Sequence, residues 1–180
     1  MEASIGLERG LVKLEDYSPA WTVSYAKEED LIKELLGDSI TAIAHVGSTS
    51  IPGIRSKPII DIILVLDSAI DLQRAAELLA SVGFMKGEFV RDEGVFLLKG
   101  NHDFHTHYLH LVSAHHSWQK YIFFRDYMLE HPDDAKEYER LKIGLEDLYS
   151  KERPLYTAAK KDFIQGIMAK MPVDYLRTTS

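Results

Sequence analysis

The sequence contains no cysteine. This absence excludes disulfide bridges, thiolate metal sites and a cysteine nucleophile. Basic residues are in the minority, with 21 Lys and Arg against 28 Asp and Glu and a formal net charge of −7. We therefore expect no nucleic-acid partner, because such a partner needs a broad basic face. A small basic pocket for a nucleotide is still compatible with this charge balance.

Long apolar runs are also lacking. No stretch approaches the roughly 20 residues that a membrane-spanning helix requires. The first ten residues, MEASIGLERG, do not show the basic and then apolar pattern of a signal peptide. We therefore expect a cytoplasmic protein without a membrane partner. The sequence does not indicate the oligomeric state of the protein.

The order of hydrophobic patterns predicts an α+β fold in a single domain over residues 1–180. Residues 1–115 mix strands and helices and form an α/β core, whereas residues 116–180 are helical and pack on that core. The individual predictions are an edge strand LVKLEDY, a helix from Ser18 to Gly37, strands SITAIAHV and PIIDIILVL, a helix SAIDLQRAAELLASVG, strands FMKGEFV, VFLLKG and THYLHLV, and three C-terminal helices of which the last begins at Pro154. The run DDAKEYERLKIGLEDLY is typical of a solvated helix face and predicts no function.

One loop, HVGSTSIPGIRSKPIID, separates two apolar strands and is unusually rich in small, hydroxylated and basic residues. Small residues let backbone amides approach an anion, while hydroxyl and cationic side chains add donors and charge. The spacing of a Walker loop is missing, and a plain Gly/Pro/Ser turn is an equally good reading of the loop taken alone. The candidate phosphate-binding residues in the loop are Gly47, Ser48, Thr49, Ser50, Arg55 and Lys57.

Asp61 lies inside the apolar strand that follows the loop. A carboxylate buried without a partner is costly, so Asp61 needs a cation, a metal ion or hydrogen bonds. A glycine-serine loop followed by a strand acid resembles the nucleotidyltransferase superfamily that includes DNA polymerase beta. This resemblance implies that Gly47 and Ser48 hold a triphosphate and that Asp61 binds a divalent metal ion, most simply Mg²⁺.

A closer resemblance covers nearly the whole chain. HVGSTSIPGIRSKPIIDI is similar to the signature of the GrpB-like family of small bacterial proteins. The fragments YSPAW, LHLV, FFRDYMLEHP and YTAAKKDFI also appear along the chain in that family's order, YSPAW before the loop and the others after it. The resemblance implies a nucleotidyltransferase-like mixed sheet with flanking helices and a C-terminal helical segment, and no settled substrate.

The strand departs from the superfamily pattern at Ile63, where a second carboxylate would share a face with Asp61. Histidines are the alternative donors. His110 is the favoured partner of Asp61, as a metal ligand or a general base, because the superfamily takes a third acid from a neighbouring strand. His45 precedes the glycine-serine pair and is a further candidate ligand. His110 and His45 can instead be half-buried strand histidines that are satisfied by hydrogen bonds. For His105 and His107 this structural role is the favoured interpretation.

Tyr156 and Lys160 are four residues apart and share a helix face, from which Lys160 can reach a phosphate across a cleft. The leading hypothesis is metal-dependent nucleotidyl transfer from a nucleoside triphosphate to a small acceptor. The rival is a catalytically inactive module that binds a nucleotide or another phosphorylated small molecule. A metal-dependent hydrolase using Asp61 and the histidines is a third reading.

Overall fold

The elements were assigned on a computed structural model, which describes residues 5–87, 94–115, 117–173 and 175. The strands in this part of the chain are β1 Leu7–Glu8, β2 Ile40–Val46, β3 Ile60–Leu66, β4 Phe84–Lys86, β5 Gly94–Gly100 and β6 Phe104–Ser113. The helices are α1 Pro19–Leu36, α2 Leu72–Ala80, α3 Gln119–Glu130, α4 Pro132–Tyr149, α5 Arg153–Ala159 and α6 Lys161–Met168.

The strands form one mixed sheet in the order β2-β3-β6-β5-β4, and the short β1 pairs with β6. β3 and β6 run parallel, while the other paired neighbours run antiparallel. Strands inside a sheet are covered on both faces and read as continuous apolar runs. The apolar composition of β3 follows from this position, and the predicted α+β class with a mixed sheet is confirmed.

The two faces of the sheet pack against different helices. Alternate residues Ile60, Ile62, Leu64 and Leu66 of β3 pack with α1 and α2 in one apolar cluster. Ile63 and Val65 lie on the opposite face, beside Trp118 and the start of α3. Because successive strand residues point to opposite faces, Asp61 lies on this second face.

The C-terminal helices pack mainly against the loop between β2 and β3 and against the N-terminal segment. Ile51 and Ile54 of the loop are buried among α3, α4 and α6. Val12 and Leu14 pack with α4 and with Tyr156 of α5. Ile51 and Ile54 therefore hold the loop against the C-terminal helices.

Several sequence predictions are corrected in detail. The predicted edge strand LVKLEDY forms only an isolated bridge, between Glu15 and Ser56, and the paired edge strand is β1. The helix predicted from residue 68 begins at Leu72, because Asp71 caps it by accepting from the amides of Gln73 and Arg74. The final predicted helix is two helices, α5 and α6. Part of FMKGEFV and most of the turn RDEG lie outside the described residues.

Helix α1 forms as predicted, with Ser18 as its cap and Gly37 at its exit. It covers buried polar groups on its face of the sheet. Lys99 Nζ lies 2.8 Å from both carboxylate oxygens of Glu28, and this pair joins β5 to α1. His107 Nε2 lies 3.1 Å from Ser24 Oγ, and burial lowers the pKa of His107 to about 4. These groups are satisfied within the fold and face away from Asp61.

The pKa of His107 predicts acid-sensitive stability. A histidine whose pKa is lower in the folded than in the unfolded chain destabilises the fold as pH falls from its ordinary value of 6.5 towards about 4. For His107 the loss amounts to on the order of 2 kcal/mol between pH 7 and pH 5. His107→Gln should reduce the pH dependence of the unfolding free energy by about that amount in urea denaturation at the two pH values. His115→Gln, at an exposed position, should leave it unchanged; an equal effect of both variants would contradict the assignment.

Candidate functional site

The turn that follows β2 lies directly against Asp61. Val46 is the register partner of Asp61, and Gly47 follows with a φ of 71°. A Cβ on Gly47 would lie 2.6 Å from Asp61 Oδ2 and 2.9 Å from Asp61 Cβ. Only glycine suits both this backbone conformation and this approach. The Asp61 side chain is 31% exposed, so the turn narrows access to the carboxylate without closing it.

The three hydroxyl residues of the turn have different roles. Thr49 is buried and donates to the carbonyl of Ile59 at 3.2 Å, and Ser50 donates to the carbonyl of Gly47 at 2.6 Å. Both side chains stabilise the turn itself. Ser48 is half-buried, and within the described residues its hydroxyl makes no hydrogen bond. Ser48 is therefore the hydroxyl that can bind a ligand.

His110 shares the face of Asp61. Its Nε2 lies 3.8 Å from Asp61 Oδ1, a distance of ion-pair range and too long for a hydrogen bond. The ring packs between Phe96 and Tyr121. Nδ1 is buried and has no hydrogen-bond partner in the described part of the chain. Nε2 is therefore the ring nitrogen that faces the carboxylate of Asp61.

His45 is placed elsewhere. Its register partner is Ile62, on the α1 face of the sheet, and its ring stacks on Tyr25 of α1 with 5.0 Å between centroids. Its Nε2 lies 3.0 Å from Thr49 Oγ1, and burial lowers its pKa to about 4. The prediction that His45 binds a metal together with Asp61 does not agree with this placement, because alternation along β2 turns its ring to the other face.

Arg55 is engaged in holding the loop. Its Nη2 donates to the carbonyl of Leu14 at 3.0 Å, and its Nε lies 3.3 Å from Asp16 Oδ1. The predicted phosphate contact of Arg55 is therefore replaced by contacts to the N-terminal segment. Its backbone amide donates to Glu139 of α4.

Helix α4 reaches into the same loop with a buried lysine. Lys142 is 1% exposed, and its Nζ donates to the carbonyl of Arg55 and lies 3.3 Å from Ser56 Oγ. Burial lowers the pKa of Lys142 to about 7. The solvated face predicted for this charged run is wrong at Lys142 and Glu139, because both side chains hold the loop. Charge spacing alone does not reveal such a tertiary contact.

Two lysines share the ring of Tyr156. Lys160 Nζ lies 4.7 Å from the ring centroid and Lys57 Nζ 5.3 Å from it. Tyr156 itself is 1% exposed and packs against Val12 and Leu14. The predicted pair of Tyr156 and Lys160 is therefore close in space, but Tyr156 is a platform for the two cations and does not reach a ligand.

Arg153, which the sequence analysis did not identify, connects α5 to the sheet. Its Nη1 donates to the hydroxyl of Tyr108 at 2.6 Å, and Tyr108 is the register partner of Asp61. Its Nη2 donates to the carbonyls of Glu8 and Leu11. A single arginine before a proline carries no signal of this role, since its acceptors are far apart along the chain.

The cleft holds an excess of positive charge. Lys57 lies near three further cations, Lys142, Arg153 and Lys160, and near the carboxylate of Asp61; within the described residues, none of these four cations forms an ion pair with a carboxylate. Burial, followed by the charges of Lys160 and Arg153, lowers the pKa of Lys57 to about 7, and Asp61 opposes this effect. These basic residues are concentrated at one place in a chain whose net charge is −7.

The residues present fit only one kind of metal site. Asp61 is a single carboxylate, and the described residues contain no group of three His, Cys, Asp or Glu side chains that could hold a metal ion. Mg²⁺ keeps several waters and is commonly bound by one or two carboxylates together with substrate phosphates. Asp61 therefore suits a Mg²⁺ ion that shares its coordination with a phosphorylated ligand.

The mixed sheet and its flanking helices resemble the fold of a solved polymerase. A crystal structure of the Cid1 poly(U) polymerase with MgGTP bound matches it with a TM-score of 0.51, covering 73% of this chain and 44% of that chain. The sequences are 12% identical, so the likeness is one of fold.

The chain belongs to the GrpB family, whose model, GrpB protein, matches residues 11–170. The glutamate-rich protein GrpB of Alkalihalophilus pseudofirmus is 34% identical over 173 residues, which are 93% of this chain and 99% of that protein. A UPF0157 protein of Pseudomonas aeruginosa is 34% identical over 159 residues, 84% of this chain and 64% of the longer relative. The crystal structure of GrpB from Enterococcus faecalis matches with a TM-score of 0.78 and 26% identity, covering 92% of this chain and 98% of that one.

No helix in the described ranges has both the length and the apolar character that crossing a membrane would demand. The family assignment carries no established activity.

The contact between Gly47 and Asp61 yields a prediction with an internal control. Gly47→Ala combines a positive φ with a collision against Asp61, whereas Gly53→Ala has a φ of 81° and open space around the added Cβ. We expect Gly53→Ala to lower the unfolding free energy by about 1–2 kcal/mol through backbone strain alone. Gly47→Ala should cost more, in urea or thermal unfolding, because Asp61 must also move. Equal losses in the two variants would show that the approach to Asp61 is unimportant.

Proposed function

We propose that the protein binds the triphosphate of a nucleoside triphosphate in this cleft and transfers the nucleotidyl group to a small acceptor. The observation that carries the proposal is the group of four basic residues, Lys57, Lys142, Arg153 and Lys160, which have no described ion-pair partner and lie near the accessible carboxylate of Asp61. An anion of several charges would offset the repulsion among them. The Cid1 structure, which holds MgGTP, supports the choice of a nucleotide by likeness of fold.

The turn and α5 supply the groups that hold the phosphates. Backbone amides near Gly47 and the hydroxyl of Ser48 donate from one side, at the mouth of the Asp61 site. Lys160 and Arg153 supply positive charge from the other side, and Arg153 is kept in position by Tyr108. Since Arg153 is fixed by its bonds to Tyr108 and to the carbonyls of Glu8 and Leu11, this group needs little reorganisation when the ligand binds.

The transfer step is a displacement at the α-phosphorus. The acceptor hydroxyl oxygen forms a bond to that phosphorus, the bond to the leaving oxygen of pyrophosphate breaks, and the acceptor proton passes to the Asp61–His110 pair. His110 Nε2 lies 3.8 Å from Asp61 Oδ1, so His110 can take the proton while the carboxylate stabilises the resulting charge. The cations of the cleft stabilise the negative charge that develops on pyrophosphate.

A divalent ion bound with the nucleotide would supply charge neutralisation of the phosphates. Asp61 is the residue that would hold it, together with phosphate oxygens. The metal-dependent reading therefore requires that Mg²⁺ and nucleotide strengthen each other's binding.

A second candidate function is nucleotide binding without transfer, as in a regulatory module. Ile63 favours it, because this residue occupies the strand position where the superfamily has its second carboxylate. The same cations would then hold the nucleotide, and Asp61 would limit access to it. The two functions differ in whether pyrophosphate is released.

Asp61→Asn tests the role of the carboxylate. It should abolish magnesium-dependent pyrophosphate release and the effect of Mg²⁺ on ATP affinity in isothermal titration, because the charged ligand of the ion is removed. The unfolding free energy should stay equal or rise slightly, since a partly buried charge is lost. Asp67→Asn, at the far end of β3, is the matched control and should behave as wild type.

Four outcomes of experiments on the wild-type protein distinguish the possible functions. Magnesium-dependent ATP binding with pyrophosphate release supports transfer, and binding that ignores magnesium without turnover supports the module. Release of orthophosphate alone indicates hydrolysis. If ATP does not bind and Asp61→Asn unfolds the chain, Asp61 is structural and the proposed function is wrong.

Lys160→Ala tests the phosphate cluster. Removing one unpaired cation next to the phosphates should weaken ATP binding by about 1.5–3 kcal/mol, or roughly 10- to 150-fold in Kd. Lys161→Ala removes the neighbouring, exposed lysine and should change Kd by less than about threefold. Titration calorimetry measures both, and equal losses would argue for nonspecific charge attraction.

A further inference from the structure

Lys57 lies where the loop meets β3, and positive groups face it from several elements. The charged and titratable groups around it are Asp61 of β3, Lys142 of α4, Arg153 and Tyr156 of α5, and Lys160 directly after α5. Only Asp61 among these groups is acidic at neutral pH. Lys57 is half-buried, so water compensates for the imbalance only in part.

Two lysines contact the same aromatic ring. Lys57 and Lys160 both lie within cation–π distance of the Tyr156 ring. Neither has a described carboxylate as an ion-pair partner. Burial, and after it the charges of Lys160 and Arg153, lower the pKa of Lys57 to about 7.

We propose that Lys57 matches the charge of the cleft to its ligand by taking up a proton when an oligophosphate binds. This inference rests on the proposed function and adds the class of ligand that the cleft selects. A ligand with several phosphate charges restores the ammonium form and gains an additional ion pair. A single phosphate group offsets less of the repulsion among the cations and gains less.

The direction in which pH changes the ligand affinity follows from the charge of Lys57 in the empty and in the occupied cleft. At pH 8 the amine of Lys57 in the empty cleft is largely neutral, whereas phosphate charges beside it favour the ammonium form. Binding therefore takes up a proton, and affinity falls as pH rises above 7. For one coupled proton, the dissociation constant rises by at most about tenfold per pH unit. Lys142 also has a pKa of about 7, but it is retained in every variant below, so its contribution cancels.

The test is calorimetric titration of the full chain with tripolyphosphate at pH 8, in buffers of different ionisation enthalpy. Wild type should take up a proton on binding. Lys57→Arg carries a charge that cannot be lost, so it should bind with clearly less proton uptake and with weaker pH dependence between pH 7 and pH 9. Lys27→Arg, on the exposed side of α1, should match wild type.

A second variant and a second ligand complete the design. Lys57→Met also removes the titrating amine and should lose both proton uptake and affinity, which covers the case in which Lys57→Arg fails to fold by circular dichroism. Inorganic phosphate should bind more weakly than tripolyphosphate and take up less of a proton.

The outcomes distinguish this inference from the proposed function. Equal proton uptake by wild type and both Lys57 variants would overturn the role of Lys57, as would oligophosphate binding by wild type without any uptake. Either result leaves nucleotide binding intact. Equal affinity for phosphate and tripolyphosphate would overturn the proposed preference of the cleft for oligophosphates. A wild-type chain that binds neither tripolyphosphate nor ATP would instead remove the proposed function.

Discussion

The approach of Gly47 to the carboxylate of Asp61 determines the geometry of the cleft. Antiparallel register places the end of β2 beside the start of β3, and a positive φ at Gly47 turns the chain over the acid. Any side chain at this position would meet the carboxylate. Since Ile51 and Ile54 then anchor the loop among the helices, the C-terminal lobe is positioned by the same turn.

The cations of the cleft come from segments that are distant in sequence. Lys57 follows the loop, Lys142 belongs to α4, and Arg153 and Lys160 flank α5. Bringing them together without carboxylate partners costs stability in the empty protein, because burial and mutual repulsion both disfavour the charged forms. Protein stability is commonly sacrificed where a site must bind a charged ligand. The low pKa values of Lys57 and Lys142 are consistent with such a sacrifice.

The histidines show why some candidates could be placed from sequence and others could not. Alternation along β6 puts His107 and His110 on opposite faces, and the structure brings His110 to Asp61 and His107 to Ser24. His45 follows the same rule, but its face depends on the antiparallel register of β2 with β3. Proximity along the chain to Gly47 therefore did not indicate where its ring lies.

The sequence by itself determined the α+β class, most of the helices and strands, and the pairing of a glycine-serine turn with Asp61, because these depend on local periodicity and on neighbours along the chain. Only the tertiary structure decided that Arg55 and Thr49 hold the loop while Ser48 faces the cleft. The same is true of Lys142 and Arg153, whose charges read as ordinary surface until α4 and α5 pack on the loop and the sheet edge. Long-range packing sets which polar groups find partners inside the fold and which remain for a ligand, and no local pattern encodes that choice.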